Sequence, residues 1–210
     1  MKQKTLFLIA CMFLLLKVNA EEPIKLGVQA GLNFSKYTAA DLDYNTGFNV
    51  GITAQKNMIN SPFYLSSGLF LTKKGGKEDL TPENLKINTY YLELPIHFGL
   101  KQKLSNSFTL YEEVGPYFSY GLFGKTKTDG YKDTLNYDGE SKKVQVDATS
   151  RNTFSYLKRF DMGIGFKIGT EFKNRYNLSM GADWGLLNVH SSRNIKAKNF
   201  NFSINLGYRF

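Results

Sequence analysis

The side chains able to do chemistry in this chain are few and scattered. Glu93 and His97 stand four apart in "TYYLELPIHFGL" (89–100), and Glu113 follows in "LYEEVGPY" (110–117). Asp161, Lys167 and Glu171 share "FDMGIGFKIGTEF" (160–172), and Asp183 and Arg209 complete the set. A histidine beside a carboxylate can shuttle a proton, and a histidine beside a serine can cleave an ester. Both uses require contact. On an extended strand Glu93 and His97 are about 13 Å apart, and neither His97 nor His190, the two histidines of the chain, has a nucleophile signature nearby. The one cysteine, Cys11, falls in an N-terminal apolar run, so no thiolate or zinc-ligand spacing arises. No catalytic set, cofactor site or metal site is expected. What these eight residues do share is position. Each sits where polar residues alternate with apolar ones.

That alternation defines the elements. Eight segments carry it: 24–36, 47–56, 63–72, 89–100, 107–123, 159–172, 176–189 and 199–210. In the clearest, Phe160, Met162, Ile164, Phe166 and Ile168 face one way, while Asp161, Gly163, Gly165, Lys167, Gly169 and Glu171 face the other. Period two is the signature of a strand with two different surroundings. Each segment reaches about nine residues or more, enough to cross a bilayer when tilted, whereas strands of globular domains usually run about 5–6. Connections after the second, fourth and sixth segments are short ("NMINSP", "KQKLSN", "KNR"); those after the first, third, fifth and seventh are longer. Membrane barrels have short periplasmic turns and long extracellular loops. The expected fold is an all-β, eight-stranded antiparallel up-and-down transmembrane β-barrel.

A secreted calyx or sandwich also alternates, with the apolar face inward. The composition of the polar face argues against it. That face is rich in Gly, Ser, Asn and Thr with charges of both signs, which suits a narrow lumen that side chains fill. Aromatic residues collect near the segment ends on the apolar face (Phe34, Phe48, Phe63, Tyr90, Phe108, Tyr120, Phe160, Phe200, Tyr208, Phe210), as interfacial girdles do.

Residues 1–20 read as a signal peptide: Lys2 and Lys4, the apolar run Leu6–Leu16, then Val18-Asn19-Ala20 before two glutamates. A lipoprotein reading with Cys11 as the acylated residue would leave too short an apolar run before it. Residues 21–210 form the barrel domain. The formal net charge of +9 drops by three with Lys2, Lys4 and Lys17. No dense Lys/Arg block remains, which excludes nucleic acid as a partner and points to anionic lipid headgroups.

If the apolar face meets lipid, then Glu93, His97, Glu113, Asp161, Lys167, Glu171, Asp183 and Arg209 face the lumen. There carboxylates outnumber the clear cations, Lys167 and Arg209, and the expected role is a hydrogen-bonded, ion-paired structural network. Two residues resist the pattern. Glu112 would face lipid near mid-strand, unless a β-bulge or a partner barrel relieves it. Pro95 removes a ladder hydrogen bond, which predicts a bulge or kink there. The segment from about Gly124 to Thr153, with Tyr131, Tyr137 and a turn at Asp138-Gly139, predicts a hairpin above the membrane.

Several segments also carry a family resemblance. "YLELPIHFGLK", "VGPYFSYGL" (Val114–Leu122), "FDMGIGFKIGTEF" and "WGLLNV" resemble, in order, the strands of the PorT-like outer-membrane β-barrel family of Gram-negative bacteria. "INLGYRF" resembles a carboxy-terminal strand signal, so the resemblance implies that Tyr208 and Phe210 are read by the barrel-assembly machinery. It implies an eight-stranded outer-membrane barrel and no shared activity. The functional expectation is a non-enzymatic structural or interaction barrel, with outer-membrane lipids around it and a protein partner at its extracellular loops. The alternative is a narrow solute or ion channel, or an accessory barrel of a secretion or uptake complex.

Overall fold

A computed structural model describes residues 23–38, 42–79, 83–135, 141–192 and 194–210. The expected signal peptide and the Asp138-Gly139 turn lie outside the described residues. Nine strands run β1 (Lys25–Tyr37), β2 (Asn45–Asn57), β3 (Phe63–Asp79), β4 (Glu83–Lys103), β5 (Phe108–Leu135), β6 (Ser141–Asn152), β7 (Phe160–Phe172), β8 (Tyr176–Gly185) and β9 (Asn199–Arg209). Eight of them close a barrel. Each of β1 to β5 pairs antiparallel with the next, β5 pairs with β7, β7 with β8, β8 with β9, and β9 returns to β1. The ninth, β6, pairs only with the outer half of β5, from Lys125↔Asn152 to Leu135↔Ser141.

Burial is inverted relative to a soluble protein. Leu26, Ile52 and Leu206 are 56, 61 and 66 % exposed, while Asn33, Thr89 and Asp161 are fully buried. An apolar surface of this extent wraps the whole barrel, which water would not tolerate and hydrocarbon requires. Two aromatic girdles bound it. At the short-turn end Phe63 stacks on Phe98, Phe108 meets Phe172, and Tyr176 meets Tyr208. At the other end Tyr44 and Trp184 flank Phe200, Phe48 meets Tyr90, and Tyr90 stacks on Phe123 with centroids 4.5 Å apart.

The short turns are built for tight reversal. Between β7 and β8, Lys173 and Asn174 both take positive φ (49° and 57°), and Arg175 N–H donates to the Phe172 carbonyl. Two left-handed residues in succession make a type I′ turn, whose twist matches the flanking strands.

The structure corrects three expectations. First, the long loop expected after the third segment continues as paired strands above the membrane, Lys73–Asp79 with Asn84–Tyr90, whereas the hairpin expected from about Gly124 to Thr153 is present as β5 paired with β6. Second, Pro95 interrupts the ladder as expected of a residue without N–H, but it carries no bulge. The β3–β4 ladder skips the pairs of Gly68 and Leu69 with Pro95 and Leu94 but resumes in the same register, and Ser67 Oγ donates to the Pro95 carbonyl at 2.8 Å. Losing one N–H interrupts a ladder without requiring an extra residue. The register shift lies between Tyr90 and Tyr91, where β5 carries Leu122 as the additional residue. Third, Glu112 is the fifth residue of β5, not a mid-strand one, and no bulge relieves it. It pairs with Leu100, itself opposite Phe63 of the short-turn girdle, so its half-buried carboxylate lies near headgroup level.

β6 rests on β5 alone, and the pairs of Lys125–Gly130 with Glu83–Asn88 of β4 lie above the girdle, so the outer part of the β5–β6 hairpin should be dispensable for closure. Replacing residues 128–149 by a two-residue Asn-Gly turn would join Lys127 to Ser150, which are direct cross-strand partners. The variant is expected to keep wild-type heat-modifiable mobility on gels. Loss of the compact form would mean that the hairpin helps to close the barrel.

Candidate functional site

Glycines opposite tyrosines set the geometry of the lumen. Tyr64 pairs with Gly99, Tyr111 with Gly169 and Tyr117 with Gly163, and each ring lies across the glycine opposite it. A Cβ at Gly99 would come within 2.3 Å of the Tyr64 ring, and one at Gly169 within 2.6 Å of Tyr111. The missing side chains let the rings lie flat along the wall, with their hydroxyls reaching inward.

The charges stack in tiers along the axis. At the short-turn end Glu171 of β7 accepts from Lys101 of β4 at 2.7 Å and is paired with Arg209 of β9. In the next tier Glu113 of β5 lies 3.1 Å from Lys167 Nζ and 3.4 Å from His97 Nδ1, and it accepts from the Tyr64 hydroxyl at 2.9 Å. Higher still, Lys74 of β3 pairs with Glu93 of β4, and its ammonium lies 4.7 Å from the centroid of the Tyr117 ring. Asp161 accepts from Asn199 at 2.7 Å and from Tyr117 at 3.2 Å, and Asp183 accepts from Asn201 at 3.0 Å. Asn49 bridges Asn33 and Asn205, 2.8 Å from each, across the β1–β2–β9 side.

All eight residues singled out from the sequence therefore point into the lumen, but they do not form one cluster. Glu93 and His97 have separate partners, Lys74 and Glu113. His190 is in the last connection, where its Nδ1 accepts from Ser192 N–H and its ring lies 6.2 Å from Tyr156. The excess of carboxylates is smaller than expected: Glu93, Glu113, Asp161, Glu171 and Asp183 stand against four cations, because two lie beyond the segments read from the sequence. Lys74 and Lys101 also point inward, each one period-two step beyond the last inward residue of its segment, Thr72 and Gly99. With them, the lumen carboxylates Glu93, Glu113 and Glu171 each have a cation, as buried charges require.

Small cavities lie in the lumen, among them ones of about 40 and 30 Å³. Each has room for about a water or a few. The buried atoms His97 Nε2, Asn49 Oδ1 and Asn201 Oδ1, which have no protein partner, belong to residues lining the larger. The extracellular mouth is closed by apolar side chains that sequence periodicity does not reveal. Tyr37, Leu42, Ile87, Leu157, Val189 and Ala197 form a buried cluster, with Phe154 and Tyr156 against it. A single 3-10 turn, Thr153–Ser155, carries the chain from β6 into this cap, and the Tyr156 hydroxyl and Thr153 both bond Thr126. Burial holds the Tyr156 hydroxyl above its ordinary titration range, so it stays neutral under the cap.

The sequence of this barrel matches the outer membrane protein beta-barrel domain over residues 19–191. The chain belongs to that family. As a member of it, the protein resides in the outer membrane, with its apolar belt in lipid. The barrel is similar along nearly its whole length to several solved structures. With Ail, the attachment invasion locus protein of Yersinia pestis, it shares 15 % identity at a TM-score of 0.42, covering 89 % of this chain and 97 % of that one. With Neisserial surface protein A the values are 11 % and 0.48, covering 90 and 100 %. With OprG of Pseudomonas aeruginosa they are 11 % and 0.40, covering 89 and 94 %. No curated protein sequence matches it.

Proposed function

We propose that this protein is a plugged, non-enzymatic outer-membrane barrel that acts through its extracellular surface. The observation that carries the reading is the lumen itself: tiers of paired charges, water-sized cavities and an apolar cap across the mouth. The network of Glu93, His97, Glu113, Asp161, Lys167, Glu171, Asp183 and Arg209 is structural, filling the interior and fixing register. The interacting surface is the part of β3 to β6 that stands clear of the bilayer. Residues 1–20 direct export and are removed. Tyr208 and Phe210 present the terminal strand to the barrel-assembly machinery, in keeping with the resemblance to PorT-like barrels; Phe210 N–H bonds the Leu26 carbonyl, closing the last strand onto the first.

Planar-bilayer recording tests the reading. The purified barrel is expected to show no stable conductance. Reproducible unitary steps would replace this reading with the channel alternative.

A further inference from the structure

On the outer wall, at the extracellular end, a groove of about 890 Å³ runs between β3, β4, β5 and β6. Six cations line it: Lys73, Lys86, Lys125, Lys127, Arg151 and Arg159. No carboxylate does so among the described residues. Its floor is apolar, made by Tyr90, Leu122 and Phe123 of the upper girdle. We propose that this groove binds the phosphorylated headgroup of an outer-leaflet glycolipid.

The bulge at Leu122 creates the groove. Below it, the odd-numbered residues of β5 point inward: Tyr117, Ser119 and Gly121 are buried. Above it, the even-numbered ones do so: Gly124 and Thr126 are buried. One extra residue shifts the alternation, so Leu122 and Phe123 are both exposed and Lys125 and Lys127 follow on the outer face. Without it, both lysines would point toward the lumen side. Arg159 secures the bulge, donating from Nη1 to the carbonyls of Gly121 and Leu122 at 2.7 Å each. It is a positioning residue; the exposed lysines and Arg151 are the recognition groups.

Height selects the ligand. Lys125 and Lys127 lie about 7 and 13 Å along the strand beyond Phe123. A girdle aromatic marks the edge of the hydrocarbon, so these ammonium groups stand at and just above headgroup level. Lys86 and Lys73 approach the same level from β4 and β3. Cations spread over several strands above a lipid-continuous apolar floor match a ligand with anionic groups at the surface and acyl chains below. A soluble anion would use the cations alone and gain nothing from the apolar floor of Tyr90, Leu122 and Phe123. Phosphate oxygens accept charge-assisted hydrogen bonds from Lys and Arg, the strongest available there.

Native mass spectrometry of the full-length refolded barrel in detergent tests the site, with diphosphorylated lipid A as the probe. Wild type is expected to retain the lipid. Lys86→Ala/Lys125→Ala/Lys127→Ala is expected to bind at least tenfold more weakly, while Lys103→Ala/Lys173→Ala at the opposite rim binds as wild type does. Lipid A stripped of both phosphates should also bind at least tenfold more weakly, and inositol hexakisphosphate should not displace the intact lipid. Heat-modifiable mobility confirms the fold of each variant; should the triple variant not fold, Lys127→Glu is expected to weaken binding severalfold. Undiminished binding by the folded variants, or equal binding of the dephosphorylated lipid, overturns the site. Displacement by inositol hexakisphosphate overturns the lipid and leaves a soluble polyanion as the ligand.

Discussion

Replacing Glu113 by methionine is expected to destabilise the barrel by about 3–5 kcal/mol, the cost of leaving a buried charge without its partner. Three groups converge on this carboxylate: the Lys167 ammonium, His97 Nδ1 and the Tyr64 hydroxyl. Of these, Lys167 decides the magnitude, because the pair is largely removed from water on both sides, with side-chain exposures of 16 and 6 %. The double variant Glu113→Met/Lys167→Met should recover most of the loss, since an apolar pair of similar volume is often as stable as the ion pair it replaces. Recovery will be incomplete, because Tyr64 and His97 still lose an acceptor. Urea unfolding in lipid vesicles, followed by the fluorescence of the single tryptophan, lipid-facing Trp184, gives the numbers. A Glu113→Met barrel within about 1 kcal/mol of wild type would show that the network fills space without fixing the fold.

The alternation of residue types made the barrel legible. Two solvents on two faces force period two on every strand, and a bilayer forces its length, so class, strand number in the barrel and the inward set all follow from local pattern. The alternation stops being visible where the chain leaves the bilayer, because the outer face then meets water and turns polar like the inner one. That is why Lys74 is hidden behind "KKGG" and Lys101 inside "KQKLSN", and why the outer halves of β3 and β4 read as a loop; the β5–β6 hairpin is legible from its turn and charge balance instead. The bulge did leave a mark. In "YGLFGK" Leu122 and Phe123 are adjacent apolar residues, the local trace of the shifted alternation.

The cap leaves no such mark. Leu42 and Leu157 come from two connections, Val189 and Ala197 from a third and Ile87 from the outer half of β4, and none alone signals a buried cluster. Their burial arises only when closure of the barrel brings the connections over one mouth. Nor does a list of charges give the pairings. Glu93 and His97 share a strand face, yet their partners arrive from the neighbouring strands, Lys74 from β3 and Glu113 from β5. A narrow barrel makes such cross-strand meetings unavoidable, but which charge meets which depends on shear, a property of the closed sheet.

The same closure makes some glycines irreplaceable and others ordinary, and one substitution at two sites separates them. Gly163→Ala should cost at least about 1–3 kcal/mol, the range for forcing extra volume into packed structure. Its Cβ would meet the Trp184 carbonyl oxygen at 2.1 Å and the Tyr117 ring at 2.6 Å. The carbonyl belongs to the β7–β8 ladder and cannot give way, and Tyr117 is held by its bond to Asp161 and by Lys74 above its ring. Gly181→Ala, on the adjacent strand and also facing the lumen, has no contact under 3.0 Å: its nearest are Ser203 Oγ at 3.1 Å, the Phe166 carbonyl at 3.3 Å and Lys167 Cβ at 3.9 Å. A hydroxyl can rotate aside, so this change should stay within about 0.5 kcal/mol of wild type, as substitutions without such a mechanism do. Because alanine has a higher strand propensity than glycine, any general benefit of losing a glycine applies to both variants and cancels in the comparison. Urea midpoints for the two barrels in the same vesicles give the difference directly. Equal midpoints would mean that the Tyr117–Gly163 contact is incidental, and that the tyrosines of the lumen are placed by their hydroxyl partners alone.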